Sequence, residues 1–117
     1  MANKHDITIE QGATFELNLA VKTDDVLQNY TSGWTAKAQG RRSFSDTAVT
    51  FSTAESGCQT ALAGTSPNVA LTMTPAYTAA LPAPATGMYD IELTHSSGGV
   101  IRLLEGEFTI TPEVTKI

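Results

Sequence analysis

Two histidines, one cysteine and a few acidic pairs are the side chains of this 117-residue chain with chemical potential. A metal centre needs three or four converging ligands. His5 and His95 stand apart, with no His-x-x-x-His or His-Glu spacing, so both are expected as surface histidines and no metal is expected. Asp24–Asp25 lacks the alternating oxygen ligands and later Glu of a calcium loop and reads as a turn. Cys58 has no histidine placed by sequence to activate it, and a reduced, partly buried thiol is expected. Asp90 and Glu92 share one strand face, and Glu105 and Glu107 share another. If those strands pair, the carboxylates could sit close enough for acid–base work on a glycosidic bond. A solvated acidic face beside Lys37 or Arg102 is the plainer expectation. Gly-x-Ser-x-Gly and Gly-x-Gly-x-x-Gly are absent, and Ser97–Gly98–Gly99 is too short for a phosphate loop. The expectation is a protein with no catalytic residue, no cofactor and no metal.

The elements that would position these groups are strands. Apolar residues alternate at Ile7 and Ile9, then at Phe15, Leu17, Leu19 and Val21. The same period recurs at Trp34, Ala36 and Ala38, at Val69, Leu71 and Met73, and at Tyr89, Ile91 and Leu93. Residues 24–33 read as a connection, and Gly40–Arg41–Arg42 as a bulge or strand end. Residues 43–66 are rich in Ser, Thr, Ala and Gly, with short strands at Val49–Phe51 and Cys58–Ala63. Thr74–Pro75 is a helix start, Thr as N-cap and Pro at the first helical position, predicting a short helical turn over 75–81. Ser96–Gly99 is a hairpin connection. In the last strand Ile101 and Leu103 point opposite to Leu104, Phe108 and Ile110, so a bulge is predicted near Leu103–Leu104 or Gly106.

This pattern predicts an all-β, antiparallel immunoglobulin-like β-sandwich of about seven or eight strands. It forms a single domain over 1–117 with short extensions at 1–5 and 112–117. Trp34, Phe15, Tyr89, Ile91 and Leu104 are the expected core, with Trp34 as its anchor. Net charge is −5, from 7 Lys and Arg against 12 Asp and Glu. Phosphate neutralisation dominates nucleic-acid binding, so no nucleic-acid partner is expected. Apolar runs are too short to span a bilayer, no secretory leader is legible, and an acidic surface opposes anionic lipid, so no membrane association is expected.

Two stretches carry a family likeness. One is Ile7-Thr8-Ile9-Glu10-Gln11-Gly12-Ala13-Thr14-Phe15. The other runs from Gly87-Met88-Tyr89-Asp90-Ile91-Glu92-Leu93 through Arg102-Leu103-Leu104-Glu105-Gly106 to Pro112-Glu113-Val114-Thr115. The chain resembles small structural proteins of tailed bacteriophages and prophages, and the N-terminal β-sandwich of phage baseplate upper proteins. Thr74 to Leu81 also fits, whereas residues 24–33 depart from the family's pattern. The resemblance implies a non-enzymatic virion component of the tail, baseplate or neck, or a head decoration. Its implied partners are other virion proteins in a multi-copy assembly, after synthesis in the bacterial host cytoplasm. The alternative is a carbohydrate-binding or adhesion sandwich, which would need exposed aromatics. The C-terminal segment is the expected partner-binding element. Pro112 pre-sets extended backbone, and Val114 and Ile117 are apolar, so the segment could add a strand to a neighbour's sheet.

Overall fold

The structure, a computed structural model, describes residues 3–43 and 45–114. The chain is all-β with one short helix. Period-two alternation translates directly into buried and exposed faces. Strands β1 (Asn3–Lys4) and β2 (Ile7–Glu10) open the chain, and Ile7 and Ile9 of β2 are buried while Thr8 and Glu10 are exposed. Strand β3 (Phe15–Leu19) keeps the same alternation. A small hairpin follows, β4 (Lys22–Thr23) and β5 (Val26–Leu27). Asp24 and Asp25 form its two-residue turn, both left-handed at φ 52° and 63°. Two left-handed residues are what a tight hairpin of matched twist demands, and Asp tolerates them. The expected turn is thus the tip of a hairpin inside what reads as a plain connection.

Strand β6 (Trp34–Arg41) ends where the Gly40–Arg41–Arg42 signal lies. Strands β7 (Phe51–Ser52), β8 (Cys58–Leu62) and β9 (Val69–Met73) follow. Helix α1 (Pro75–Ala79) starts as predicted: the Thr74 side chain accepts from the Tyr77 N–H at 3.2 Å, with Pro75 next to it. It stops two residues short of the predicted 81. Strands β10 (Ala85–His95) and β11 (Val100–Thr111) form the long closing hairpin.

One sheet has the order β3–β9–β8. The other runs β11–β10–β6–β7, with β1 and β2 on the outer side of β11. Ile7, Ile9, Ile91, Phe108 and Ile110 of the larger sheet meet Cys58, Leu71 and Met73 of the smaller one in a shared core. The strictly antiparallel expectation needs correction, because β1 and β2 pair with β11 in parallel. Asn3 sits opposite Leu104 and Ile7 opposite Phe108, so both pieces keep one register along a single edge. From Asn3 onward, the segment expected as an N-terminal extension is therefore part of the sheet; Met1 and Ala2 lie outside the described residues.

The bulge near Leu103–Leu104 is present. Ile91 pairs with Leu104, but Glu92 pairs with Arg102, leaving Leu103 as the extra residue of β11. That insertion reverses the phase of the strand. Leu103 joins the cluster around Tyr30, Val69 and Leu93, while Leu104, Phe108 and Ile110 stay in the main core. Gly106 serves close approach instead. A Cβ there would lie 2.2 Å from the His5 carbonyl oxygen, so glycine lets the N-terminal strand come near.

Of the expected core, Tyr89, Ile91 and Leu104 are buried, whereas Phe15 and Trp34 are only partly so. Phe51, Phe108, Leu71, Met73, Ile9, Leu93 and Ile110 are among the large buried side chains absent from that expectation. Trp34 lies opposite His95, near the end of β10, where the long sheet outruns the five-residue strands of its partner. Its ring meets Tyr30 edge-on at 5.4 Å and His95 at 4.8 Å between centroids. Trp34→Ala is therefore expected to cost about 2 kcal/mol, below the 3–5 typical of a fully buried Trp. Chemical denaturation checks this, and a loss as large as that for Phe108→Ala would show Trp34 to be the anchor after all.

Candidate partner-binding surface

Gln11 and Gly12, between β2 and β3, tie three parts of the chain together. The Gln11 N–H donates to the Thr111 carbonyl at 3.0 Å, continuing the β2–β11 pairing. Its side-chain Nε2 donates to the Leu81 carbonyl at 2.9 Å, and its Oε1 accepts from the Glu113 N–H at 3.0 Å. One amide thus joins the end of the helical segment to the C-terminal segment. Gly12 has φ +86°, and a Cβ built there would fall 1.2 Å from Oε2 of Glu113. The left-handed turn requires glycine, and the Glu113 carboxylate, the mobile end of a long side chain, lies over it. The Gly12 N–H donates to Thr78 Oγ1 at 3.0 Å, and that hydroxyl donates to the Ala13 carbonyl at 2.8 Å. Thr78 is fully buried, so it pins α1 to the turn through two otherwise orphaned backbone groups.

These contacts place the sequence-predicted partner residues. Pro112 is exposed, Glu113 is half-buried and held, and Val114 is 97% exposed. Ile117 lies outside the described residues. The C-terminal segment is therefore fixed to its own domain at Glu113, and Val114 is open to solvent. Sequence reasoning missed the clamp on Glu113. The Gln11–Gly12 dipeptide was the available signal.

Among the described residues, no three of His, Cys, Asp or Glu converge. His5 is exposed and contributes its backbone: its N–H donates to the Glu105 carbonyl at 2.9 Å, and the Tyr89 hydroxyl donates to its carbonyl. His95 is not the simple surface residue expected. It is half-buried beside Trp34, and its Nδ1 lies 2.8 Å from Ser97 Oγ. Cys58 is buried, and burial pushes its thiol up to about 11, the Tyr77 hydroxyl pulling back against this and the Glu55 charge adding to it. Such a thiol is a poor nucleophile at neutral pH. A groove of about 720 Å³ between α1 and the smaller sheet is lined by residues such as Gln59, Thr72, Met73 and Tyr77, without a charged side chain.

The carboxylates do pair across strands, as the sequence allowed. Asp90 faces Glu105 on β11, while Glu92 faces Arg102 on β11 and Lys37 on β6. Arg102 Nε reaches Asp90 Oδ2 at 3.5 Å. Desolvation first, then the Glu92 charge, raises the Asp90 pKa; Arg102 and Arg41 oppose this, and Glu105 adds to it. A raised folded-state pKa means that ionising Asp90 costs stability as pH climbs from its unfolded value near 4 through the folded one. Asp90→Asn removes that cost. Its melting temperature relative to wild type should therefore rise between about pH 3 and pH 7. A difference that is flat or falls over that range would show that the Arg102 pair outweighs burial and the neighbouring acids.

No protein-family model matches the chain, and no curated protein matches it.

Proposed function

We propose that this protein is a non-enzymatic assembly module of a bacteriophage virion, with an immunoglobulin-like sandwich as its body and the C-terminal segment as its attachment. The observation that carries the attachment is the clamp at Glu113 followed by a fully presented Val114. A segment anchored at Glu113 loses less entropy on docking than one anchored nowhere. The sandwich reading is supported by the order β3–β9–β8 against β11–β10–β6–β7, which corresponds to the B–E–D and G–F–C–C′ strands of that architecture. The virion reading draws on the Gln11–Gly12–x–x–Phe15 opening and the Gly87–x–Tyr89 hairpin, which resemble phage structural proteins. Gln11 and Gly12 of that opening are also the residues that hold the attachment segment. The partners proposed are other virion proteins, in multiple copies.

Mass spectrometry of virions purified from a lysate in which the protein is made tests this reading. The protein should be a stoichiometric component of the particle. Its absence from particles, with the protein abundant in the soluble fraction, would overturn the assignment.

A further inference from the structure

We propose that the outer edge of β8 pairs with the same edge of a second copy, antiparallel and about a two-fold axis at Thr60; this pairing does not depend on the virion reading above. The phase of the β8–β9 ladder presents the edge. The Thr74 N–H donates to the Gly57 carbonyl at 2.9 Å, and the Ala63 N–H to the Asn68 carbonyl at 3.0 Å. Gly57, Gln59, Ala61 and Ala63 therefore turn their main-chain groups toward β9, and Cys58, Thr60 and Leu62 turn theirs away from it. The Cys58 N–H donates to the Glu55 carbonyl at 3.3 Å. Among the described residues, nothing pairs with the main chain of Thr60 or Leu62 on this side. Thr60 meets the larger sheet through its side chain alone, Oγ1 donating to the Ala36 carbonyl of β6 at 3.0 Å. Both described ends of the chain sit on other strands. Asn3 is opposite Leu104 on β11, with β10 between β11 and β6, and Glu113 is held by Gln11 ahead of β3, with β9 between β3 and β8.

Proteins ordinarily protect strand edges with charge, proline, shortness or a covering segment. Here β1 carries Lys4, β2 carries Glu10, β3 carries Glu16, and β7 is only two residues long. The five residues of β8, Cys58–Leu62, include neither charge nor proline. They lie within residues 56–89, which hold no Asp, Glu, Lys, Arg or His in a chain with 12 acidic and 7 basic residues. That absence selects the occupant. A partner steered by charge finds nothing to meet on this edge, whereas a second copy, also of net charge −5, meets least repulsion there. Phase selects the same occupant. Cys58 and Leu62 are evenly spaced about Thr60, so a two-fold axis sets the two Thr60 residues opposite each other and Cys58 opposite Leu62 of the other copy. The Thr60 pair exchanges N–H···O bonds, and each Leu62 N–H reaches a Cys58 carbonyl while the Cys58 N–H keeps Glu55. On the outer face, exposed Gln59 falls opposite exposed Ala61 of the other copy. The smaller sheets then join edge to edge, three strands from each copy.

The test compares the unaltered chain with Gln59→Lys combined with Ala61→Lys, and with Gln59→Glu combined with Ala61→Glu. Their masses are measured by sedimentation across about 1 μM to 1 mM. The unaltered chain should form a dimer and stop there, since a two-fold contact uses up both edges. Each variant should dimerise at least about tenfold more weakly, because like charges fall directly opposite. An equimolar mixture of the two variants should regain the dimer, each lysine meeting a glutamate. Thermal melts check folding. If the variants melt early, hydrogen exchange of the unaltered chain decides: the Thr60 and Leu62 amides should slow with rising concentration, and those of Gln59 and Ala61, already bonded to β9, should change little. A chain that stays monomeric to about 1 mM, variants that associate as the unaltered chain does, a mixture that stays monomeric, or Thr60 exchange independent of concentration would overturn the proposal.

Discussion

Replacing Asn68 with alanine should lower the melting temperature by on the order of 15 °C, corresponding to about 4 kcal/mol. Asn68 is fully buried between β8 and β9. Its Oδ1 accepts from the Val21 N–H at 2.8 Å, and its Nδ2 donates to the carbonyls of Val21 at 2.9 Å and Gln28 at 2.8 Å. Those two residues flank the β4–β5 hairpin, so one amide ties down both ends of that hairpin. Alanine leaves the part-buried Val21 N–H and Gln28 carbonyl without their partner, while the Val21 carbonyl keeps the Gln28 N–H at 2.9 Å; the penalty is the desolvation of those two groups and the loss of the buried amide's bonds. Asn68→Asp should be at least as damaging. It keeps the acceptor for Val21 but turns a carboxylate toward two carbonyl oxygens. Chemical denaturation of both variants checks this. A loss under about 1 kcal/mol for alanine would show that water replaces the amide without cost.

Phe108→Ala should cost about 4 kcal/mol. The ring is fully buried and meets Phe51 edge-on, with centroids 5.3 Å apart. Each ring lies over a glycine directly across from it, Phe108 over Gly87 and Phe51 over Gly40. A Cβ on Gly87 would come within 2.7 Å of the Phe108 ring and 2.3 Å of the Arg41 carbonyl oxygen; one on Gly40 would come within 2.2 Å of Phe51. Each phenyl fills the volume its partner glycine leaves empty, so truncation opens a cavity that nearby backbone cannot close. Phe108→Leu keeps much of the volume and should cost about 1 kcal/mol. Equal losses for the two variants in denaturant titrations would mean that the cavity relaxes and the ring–glycine fit matters little.

Much of this fold was legible because period two is a strong signal in a half-buried strand. The reversal of phase between Ile101 and Leu104 even located the bulge, since no continuous strand could bury both sets. Other features rest on contacts between residues distant in sequence. Asn68 follows Ser66–Pro67 and reads as turn chemistry; only the backbone of Val21 and Gln28 makes it a buried residue. Asn3–Lys4 carries no apolar pattern and becomes a strand because Gly106 lets it approach β11. Trp34 reads as a core anchor because its strand alternates well. Sequence does not show that the opposing sheet is only half as long as β10.

The C-terminal segment was legible in composition and not in anchoring. Pro112, Val114 and Ile117 suggested an extended apolar end. The clamp of Glu113 by Gln11 joins residues 102 positions apart.

Particle occupancy of a chain ending after Glu113, measured by quantitative mass spectrometry beside the full chain, tests the account most directly. The truncated protein should fold with an unchanged melting temperature, since Val114 makes no buried contact. It should also be lost from purified particles. A truncated protein that assembles at full occupancy would place the attachment elsewhere on the sandwich and contradict the account.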